Sequence, residues 1–209
     1  AKHKGSGFLA RPEELERFLD QIFMSTTMEI SVKTRIGKTD PSEFEHLLKI
    51  FNRYPLKELI IHPRIQKDFY KNTPNMEVFG AAVQASKNPI CYNGDLTTNE
   101  DIGLFQEDFS QIKTVMIGRG LIRNPGMVND YLNQQKTDFV KLKLFHDTVY
   151  EEYKEILSGD RNLLFRMKEI WIYLIDLFEE NEKIMKKIRK TNTCDEYERV
   201  IEKIFLGNP

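Results

Sequence analysis

The sequence has 209 residues, of which 40% are hydrophobic and 30% charged, and its 31 Lys and Arg nearly balance its 32 Asp and Glu. This length predicts one domain with part of a second, and the composition excludes a disordered chain, a uniformly basic nucleic-acid coat and a polyacidic tail. Two widely separated cysteines argue against a disulfide scaffold and favour a reducing cytoplasm. Since no apolar run reaches the roughly 18 residues that cross a bilayer, we expect a soluble protein without a membrane segment.

Up to about residue 137, short β-branched runs alternate with amphipathic stretches, a pattern typical of βα units around a parallel sheet. An apolar stripe predicts a helix over 12–23. The period of two at 30–36 predicts a strand, and shorter apolar runs predict buried strands at 59–61, 89–92 and 114–117. Capping patterns predict helix starts at Asp40-Pro41-Ser42-Glu43 and at Thr97-Thr98-Asn99-Glu100.

Polar or glycine residues follow each predicted strand. Lys33, His62, Asn93 and Gly118 mark these ends, at spacings of 29, 31 and 25 residues. Such near-regular spacing is that of a (β/α)8 barrel, whose sites lie at the carboxyl ends of its strands. A whole barrel needs about 250 residues, so four units predict either half a barrel or a small doubly wound sheet.

The remaining sequence has helical periodicity alone. Apolar residues repeat every three or four positions from Leu142 to Phe178 and again from Ile184 to Phe205, and Thr193-Cys194-Asp195-Glu196 has the pattern of a capping box. We therefore predict a partial barrel over 1–137 and an all-α helical bundle over 138–209.

Several residues could carry chemistry, and each also has an ordinary structural explanation. The Gly118-Arg119-Gly120 turn could hold a phosphate or could be a tight turn with a solvated Arg. Lys33 could form a Schiff base, stabilise an anionic ring system, or only face water. His62 could donate a hydrogen bond, shuttle a proton or have only a structural role, and Asn93-Gly94-Asp95 could serve a site or be a turn before a helix.

Other residues give weaker signals. His3, His46 and His146 lack partners at metal-ligand spacing, so we expect no metal site. Cys91 lies within an apolar strand and fits inert packing. The basic run Lys183–Lys190 is either a solvated helix face or, with Arg161, Arg166 and Lys168, a cationic surface for a phosphate backbone. Trp171, Tyr173 and Phe178 fit a core better than a base-stacking platform.

The motifs in order resemble one enzyme family. They are Val32-Lys33-Thr34-Arg35-Ile36-Gly37, His62-Pro63-Arg64, Asn93-Gly94-Asp95 and Ile117-Gly118-Arg119-Gly120-Leu121 with Asn124-Pro125. Lys4-Gly5-Ser6-Gly7 and Arg166-Met167-Lys168 with Trp171 and Tyr173 add to the series, which resembles the carboxyl-terminal part of the flavin-dependent tRNA-dihydrouridine synthases. The resemblance implies an FMN-bearing barrel followed by a helical domain that grips tRNA, and a reaction in which NADPH-reduced flavin reduces uridine to 5,6-dihydrouridine.

The resemblance also implies residue roles. Lys33 and His62 would contact the flavin ring, Arg64 would face flavin or substrate, Asn93, Gly94 and Asp95 would hold the ribityl region, and Gly118 with Arg119 would hold the phosphate. The expected tRNA contacts of the helical part are Arg166, Lys168, Lys186, Lys187 and Arg189.

The family's general-acid cysteine matches neither Cys91 nor Cys194 and is expected upstream of Ala1. We therefore expect no catalytic residue in this chain and an isolated chain without activity. A half barrel would also expose sheet edges that favour self-association. Two alternatives stay open: a phosphate-binding barrel lyase or aldolase that uses Lys33, and a non-catalytic RNA-binding fragment.

Overall fold

The four predicted strands are present in this computed structural model, which describes residues 4–207, and they form one parallel sheet. The strands are β1 (Ser31–Gly37), β2 (Glu58–Ile65), β3 (Ile90–Tyr92) and β4 (Thr114–Val115). Each pairs with its neighbour in sequence, in the order β1-β2-β3-β4. The described sheet therefore has no point at which strand order reverses, unlike a doubly wound sheet.

Within residues 4–207, α-helices connect the strands, and no strand follows β4. The helices are α1 (Pro12–Ser25), α2 (Glu43–Phe51), α3 (Met76–Ala85), α4 (Asn99–Asp108), α5 (Arg119–Arg123), α6 (Met127–Asn133), α7 (Phe139–Ile156), α8 (Asp160–Leu174), α9 (Asn181–Arg189) and α10 (Cys194–Leu206). The predicted parallel α/β organisation, followed by helices alone, is confirmed. No helix of the described chain is both long and apolar enough to span a membrane.

Two strands differ in length from their predictions by more than one residue. β2 continues beyond the apolar run because Arg35 pairs with His62 and Gly37 with Ile65. Pro63, which has no N–H to donate, accepts a hydrogen bond at its carbonyl from the Asn75 N–H (2.7 Å). β4 ends at Val115, two residues before the predicted end.

Two of the three predicted capping patterns open their helices one or two residues later than expected. α2 begins at Glu43, whose carboxylate accepts the Asp40 and Lys38 N–H groups at 2.9 and 2.8 Å. At α4, Asp101 accepts the Thr98 N–H (2.8 Å), so the box is shifted by one residue from Thr97–Glu100. The box that opens α10 is confirmed, since the Thr193 hydroxyl accepts the Glu196 N–H.

One face of the sheet is covered by helices and carries the strand-rich core. Leu59 and Ile61 of β2 are fully buried. The Tyr92 ring of β3 lies 4.9 Å from the Phe79 ring of α3 and 4.2 Å from the Phe105 ring of α4. Since side chains alternate along a strand, Lys33 and Arg35 of β1 and His62 of β2 lie on the opposite face.

Contacts divide the chain into two compact units, one comprising 4–95 and 103–117 and the other 96–102 and 118–207. The predicted boundary at residue 137 stays a prediction, because a division by contacts need not match a folding domain. The helical unit has its own core, in which Trp171 is fully buried and Phe178 is 3% exposed. The expectation that these two aromatic side chains pack in a core is confirmed.

Candidate functional site

Three cationic or titratable side chains lie on the sheet face opposite the helices. Arg35 and His62 are register partners in β1 and β2, and Lys33 precedes Arg35 by two residues, so all three side chains belong to one face. We call it the charged face, defined by Lys33, Arg35 and His62. The spacing of β1 alone predicted this face for Lys33; the pairing of β1 with β2 adds His62.

Lys33 is exposed and has no hydrogen bond or ion pair within residues 4–207. Desolvation and the neighbouring Arg35 cation lower the pKa of its ammonium, with a small opposing effect from Cys91. An unpartnered ammonium beside a second cation is stabilised by an anion or by a hydrogen-bond acceptor. The charged face therefore favours a ligand that supplies negative charge.

Arg35 lies within the motif that begins at Val32 but was not among the predicted site residues. Its Nη1 donates to the Ile65 carbonyl (2.7 Å), its Nη2 donates to the Phe69 carbonyl (3.0 Å), and its guanidinium lies 5.6 Å from the Tyr70 ring centroid. Arg35 thus fixes the loop after β2 beside the charged face. Its period-two spacing from Lys33 was the signal in the sequence that could have identified it.

His62 is 6% exposed and neutral. Burial, followed by the charges of Arg35, Arg64 and Lys33, lowers the pKa of its imidazole to about 4, against a smaller opposing effect of Asp95. Its ring centroid lies 5.9 Å from that of Tyr70. A neutral imidazole donates one hydrogen bond and accepts one, so His62 serves as a binding group on this face.

Arg64, which was expected to face flavin or substrate, is only 2% exposed. Its guanidinium forms a two-point ion pair with Asp95, contacts His62 Nε2 at 3.2 Å and donates from Nε to the Asn72 carbonyl. These contacts turn the guanidinium toward the protein itself. Burial of this kind suits a residue that holds others in place better than one that binds RNA phosphate.

Asn93 and Gly94 follow β3. The Asn93 N–H donates to the Ile61 carbonyl (2.9 Å) and its side-chain Nδ2 donates to the Met116 carbonyl (2.7 Å). Its side-chain oxygen has no hydrogen-bond partner in the described chain and can accept one from a ligand. A Cβ at Gly94 would overlap the Tyr92 hydroxyl, so packing inside the protein already requires glycine there.

The glycine-rich turn belongs to the helical unit. Gly118 precedes α5, and a Cβ added to it would meet nothing within 4 Å. Its backbone is therefore open to close approach by a ligand. Arg119 is half-buried and already takes part in an interaction within the chain.

The expected RNA-binding cations of the helical unit differ in accessibility. Lys186, Lys187 and Arg189 are exposed on α9, whose opposite side packs Ile184, Met185 and Ile188 into the core. None of the three exposed side chains is ion-paired to a described residue.

Arg166 and Lys168 of α8 are already engaged. Arg166 pairs with Glu169 at 2.9 Å on the surface. Lys168 Nζ donates to the Thr191 carbonyl (2.6 Å) and the Arg189 carbonyl (3.3 Å), and burial lowers the pKa of this ammonium. Lys168 therefore caps the carboxyl end of α9, and only part of its charge reaches the surface.

Of the two cysteines, Cys91 lies close enough to Lys33 for each to affect the pKa of the other, whereas Cys194 belongs to the helical unit. Cys91 is 3% exposed in β3, and burial raises the pKa of its thiol. Burial likewise raises the pKa of Cys194, with an opposing hydrogen bond from Tyr150. Among residues 4–207 no three His, Cys, Asp or Glu side chains are grouped to bind a metal ion; His3 lies outside the described residues.

Curated proteins of one kind are similar to this chain. The chain is 30% identical over 177 residues to a probable tRNA-dihydrouridine synthase of Staphylococcus epidermidis, covering 82% of this chain and 54% of the relative. A Staphylococcus aureus protein of the same description is 30% identical, covering 72% and 48%. The tRNA-dihydrouridine synthase B of Pasteurella multocida is 27% identical, covering 59% and 37%. The chain therefore spans about half the length of the first two relatives, and less of the third.

A family model described as dihydrouridine synthase matches residues 1–205, nearly the whole chain. The resemblance found in the ordered motifs is thereby confirmed: the chain belongs to the dihydrouridine synthase family.

Proposed function

We propose that this chain supplies part of the flavin site and the tRNA-binding helices of an enzyme that reduces uridine in tRNA to 5,6-dihydrouridine. The observation that carries the proposal is the charged face, on which Lys33, Arg35 and His62 meet while Lys33 has no partner. Family membership supplies the reaction class. A tRNA substrate fits the predicted cytoplasmic location.

Two features of the strand-rich unit fit FMN: Lys33 offers an unpaired ammonium and Asn93 offers an unpaired carbonyl oxygen. Lys33 and His62 would contact the flavin ring, and Asn93, Gly94 and Asp95 the ribityl region. For the phosphate, the family resemblance implies Gly118 with Arg119, and Gly118 leaves its backbone open within the helical unit. FMN, when bound and reduced by NADPH, supplies the hydride that uridine receives.

Each of these side chains has a defined part in binding. Lys33 would neutralise negative charge on the bound ring, because its ammonium is partly desolvated and lacks an internal counter-ion. His62 would donate a hydrogen bond without bringing a second charge. Arg64 and Asp95 would hold His62 and the loop after β2 in place, a role that follows from their mutual ion pair.

The exposed cations of α9 would bind the phosphate backbone of tRNA. Lys186, Lys187 and Arg189 lie on one helix side without internal partners, and Arg166 with Lys168 would extend this surface. Such contacts bind RNA largely without regard to sequence and weaken as salt concentration rises.

Neither cysteine of this chain matches the position that the family resemblance implies for the general acid, and Cys91 is buried. We therefore place the proton donor outside these 209 residues and propose that the chain alone binds cofactor and RNA without turnover. The sequential parallel strand order further supports half of a (β/α)8 barrel, whose edge strands β1 and β4 could pair with a second copy.

The test uses the whole chain with FMN, NADPH and a tRNA transcript. We expect quenching of flavin fluorescence on binding and a shifted tRNA band, but no reduced uridine by mass spectrometry of digested RNA. Absence of both FMN and tRNA binding would overturn the proposal. Formation of dihydrouridine by the chain would overturn the placement of the proton donor.

One observation favours a second candidate. A lowered ammonium pKa at Lys33 suits Schiff-base chemistry as well as flavin binding. Borohydride trapping of a carbonyl substrate on Lys33, together with failure to bind FMN, would favour a lyase or aldolase.

A further inference from the structure

The contact between Arg64 and His62 bears on the proton of the imidazole. Arg64 Nη1 lies 3.2 Å from His62 Nε2, and both side chains are almost fully buried. A guanidinium carries five N–H donors and no acceptor. The contact is therefore a hydrogen bond only if Nε2 of His62 accepts, which requires a lone pair on that nitrogen.

Arg64 cannot turn away from His62, because three of its other four N–H donors are used. The guanidinium pairs with both oxygens of Asp95, and its Nε donates to the Asn72 carbonyl. A planar group held along two edges has one orientation. Asp95 and Asn72 therefore fix the direction of the N–H that faces His62, although neither of them is hydrogen-bonded to His62.

The cations around His62 all lower the pKa of its imidazole. Arg35 and Lys33 face it from β1 and Arg64 from β2, while Asp95 is the one carboxylate with an opposing effect. Three cations and one anion disfavour a charged imidazolium. A neutral imidazole with a lone pair on Nε2 carries its proton on Nδ1.

The remaining N–H of His62 is available to a ligand. Nδ1 has no hydrogen-bond partner in the described chain. Because this nitrogen is not fully buried, it reaches solvent. We propose that Arg64 is a positioning residue that holds His62 as the neutral Nδ1–H tautomer. In this form His62 presents one uncharged donor to an acceptor atom of the bound flavin, a ligand that rests on the proposed function.

The arrangement separates two roles on the charged face. Lys33 brings the positive charge, and His62 brings a donor that keeps its proton, since neutral imidazole is a very weak acid. Were Nε2 protonated instead, the two donors of Arg64 and His62 would face each other at 3.2 Å, and one buried donor would lose its partner.

Nuclear magnetic resonance on the whole chain with 15N-labelled histidine tests the inference without any ligand. Long-range correlations between ring protons and ring nitrogens distinguish a protonated nitrogen from one with a lone pair. We expect Nδ1 of His62 to be protonated and Nε2 bare from pH 8 to pH 6. The His62 signal is assigned by its loss in His62→Gln, and exposed His46 provides the internal reference.

Two variants isolate the part played by Arg64. In Arg64→Met with Asp95→Asn, which removes both charges together, we expect the Nδ1–H fraction to fall at least twofold. Asp95→Asn alone keeps Arg64 and should keep the Nδ1–H form. An Nε2–H or imidazolium signal in the unaltered chain at pH 7, or an unchanged tautomer in the double variant, would overturn the inference. Failure to bind FMN with the expected tautomer present would count against the proposed function alone.

Discussion

Cations are concentrated in two regions of this chain, and the regions differ in how far their side chains are fixed. On the charged face, Arg35 and Arg64 are tied to backbone carbonyls and to Asp95, and His62 is 6% exposed. On α9, Lys186, Lys187 and Arg189 project from an exposed helix side. The first arrangement suits recognition of one small ligand in one pose, and the second suits a flexible polyanion that needs charge more than geometry.

The largest expected effect concerns the guanidinium of Arg64, which is 2% exposed although its partner Asp95 is 39% exposed. Arg64→Met should lower the free energy of unfolding by about 2–3 kcal/mol, because it removes the hydrogen bonds from this guanidinium to the Asp95 carboxylate and the Asn72 carbonyl. Arg166→Met removes an exposed pair with Glu169 and should cost under about 0.5 kcal/mol. Urea denaturation followed by circular dichroism measures the stability of both variants. Equal losses would contradict the contrast between a buried cation and an exposed one.

The next effect is a pH dependence due to His62. Its pKa is about 4 in the folded chain and about 6.5 when unfolded. The unfolded state therefore binds more protons between these values, so stability is full above pH 6.5 and falls as pH drops toward 4. The loss from pH 7 to pH 5 should be about 2 kcal/mol.

His62→Gln should remove that loss, while His46→Gln on the exposed side of α2 should leave it in place. Buried His146 contributes a slope of the same sign in every variant, because burial lowers its pKa as well. The comparison of urea midpoints at the two pH values therefore isolates His62. An unchanged slope in His62→Gln would mean that the imidazole is not held neutral by this site.

Most elements of the sheet were predictable from local patterns, whereas the partners of the site were not. The period of two in β1 placed Lys33 on the correct kind of face, and the strand spacing anticipated consecutive parallel units. Register between β1 and β2, which joins Arg35 to His62, depends on tertiary pairing and is absent from local sequence. For the same reason, the expectation for Arg64 did not anticipate that Asp95, 31 residues away, fixes its guanidinium.

Lys168 shows the same limit in the helical unit. Its position within Arg166-Met167-Lys168 suggested a surface cation, yet its ammonium caps α9 through the Thr191 carbonyl. A helix cap between elements distant in sequence has no local signal, unlike the Thr193 box, whose residues lie within one turn. Short-range hydrogen bonds could thus be predicted, and long-range ones needed the structure.

A third prediction sharpens the contrast at the ligand. Lys33→Met should weaken FMN binding by about 10- to 100-fold, because a charge-assisted hydrogen bond contributes about 1.5–3 kcal/mol. Lys49→Met changes the same residue type on the exposed side of α2, where Lys49 pairs with Glu45, and should leave the dissociation constant unchanged. Titration of flavin fluorescence measures both variants, and equal affinities would remove Lys33 from the site.

The smallest effect is expected on α9, where no single geometry is at stake. Lys186→Ala, Lys187→Ala and Arg189→Ala together should weaken tRNA binding and reduce the dependence of log affinity on log salt by about 2, since each phosphate contact contributes about 0.7–0.9 to that slope. The matched control is Lys49→Ala, Lys57→Ala and Lys113→Ala, three exposed lysines of the strand-rich unit. Gel-shift titrations at several salt concentrations compare the two sets. Equal slopes in both would mean that net charge alone governs binding and that α9 holds no tRNA surface of its own.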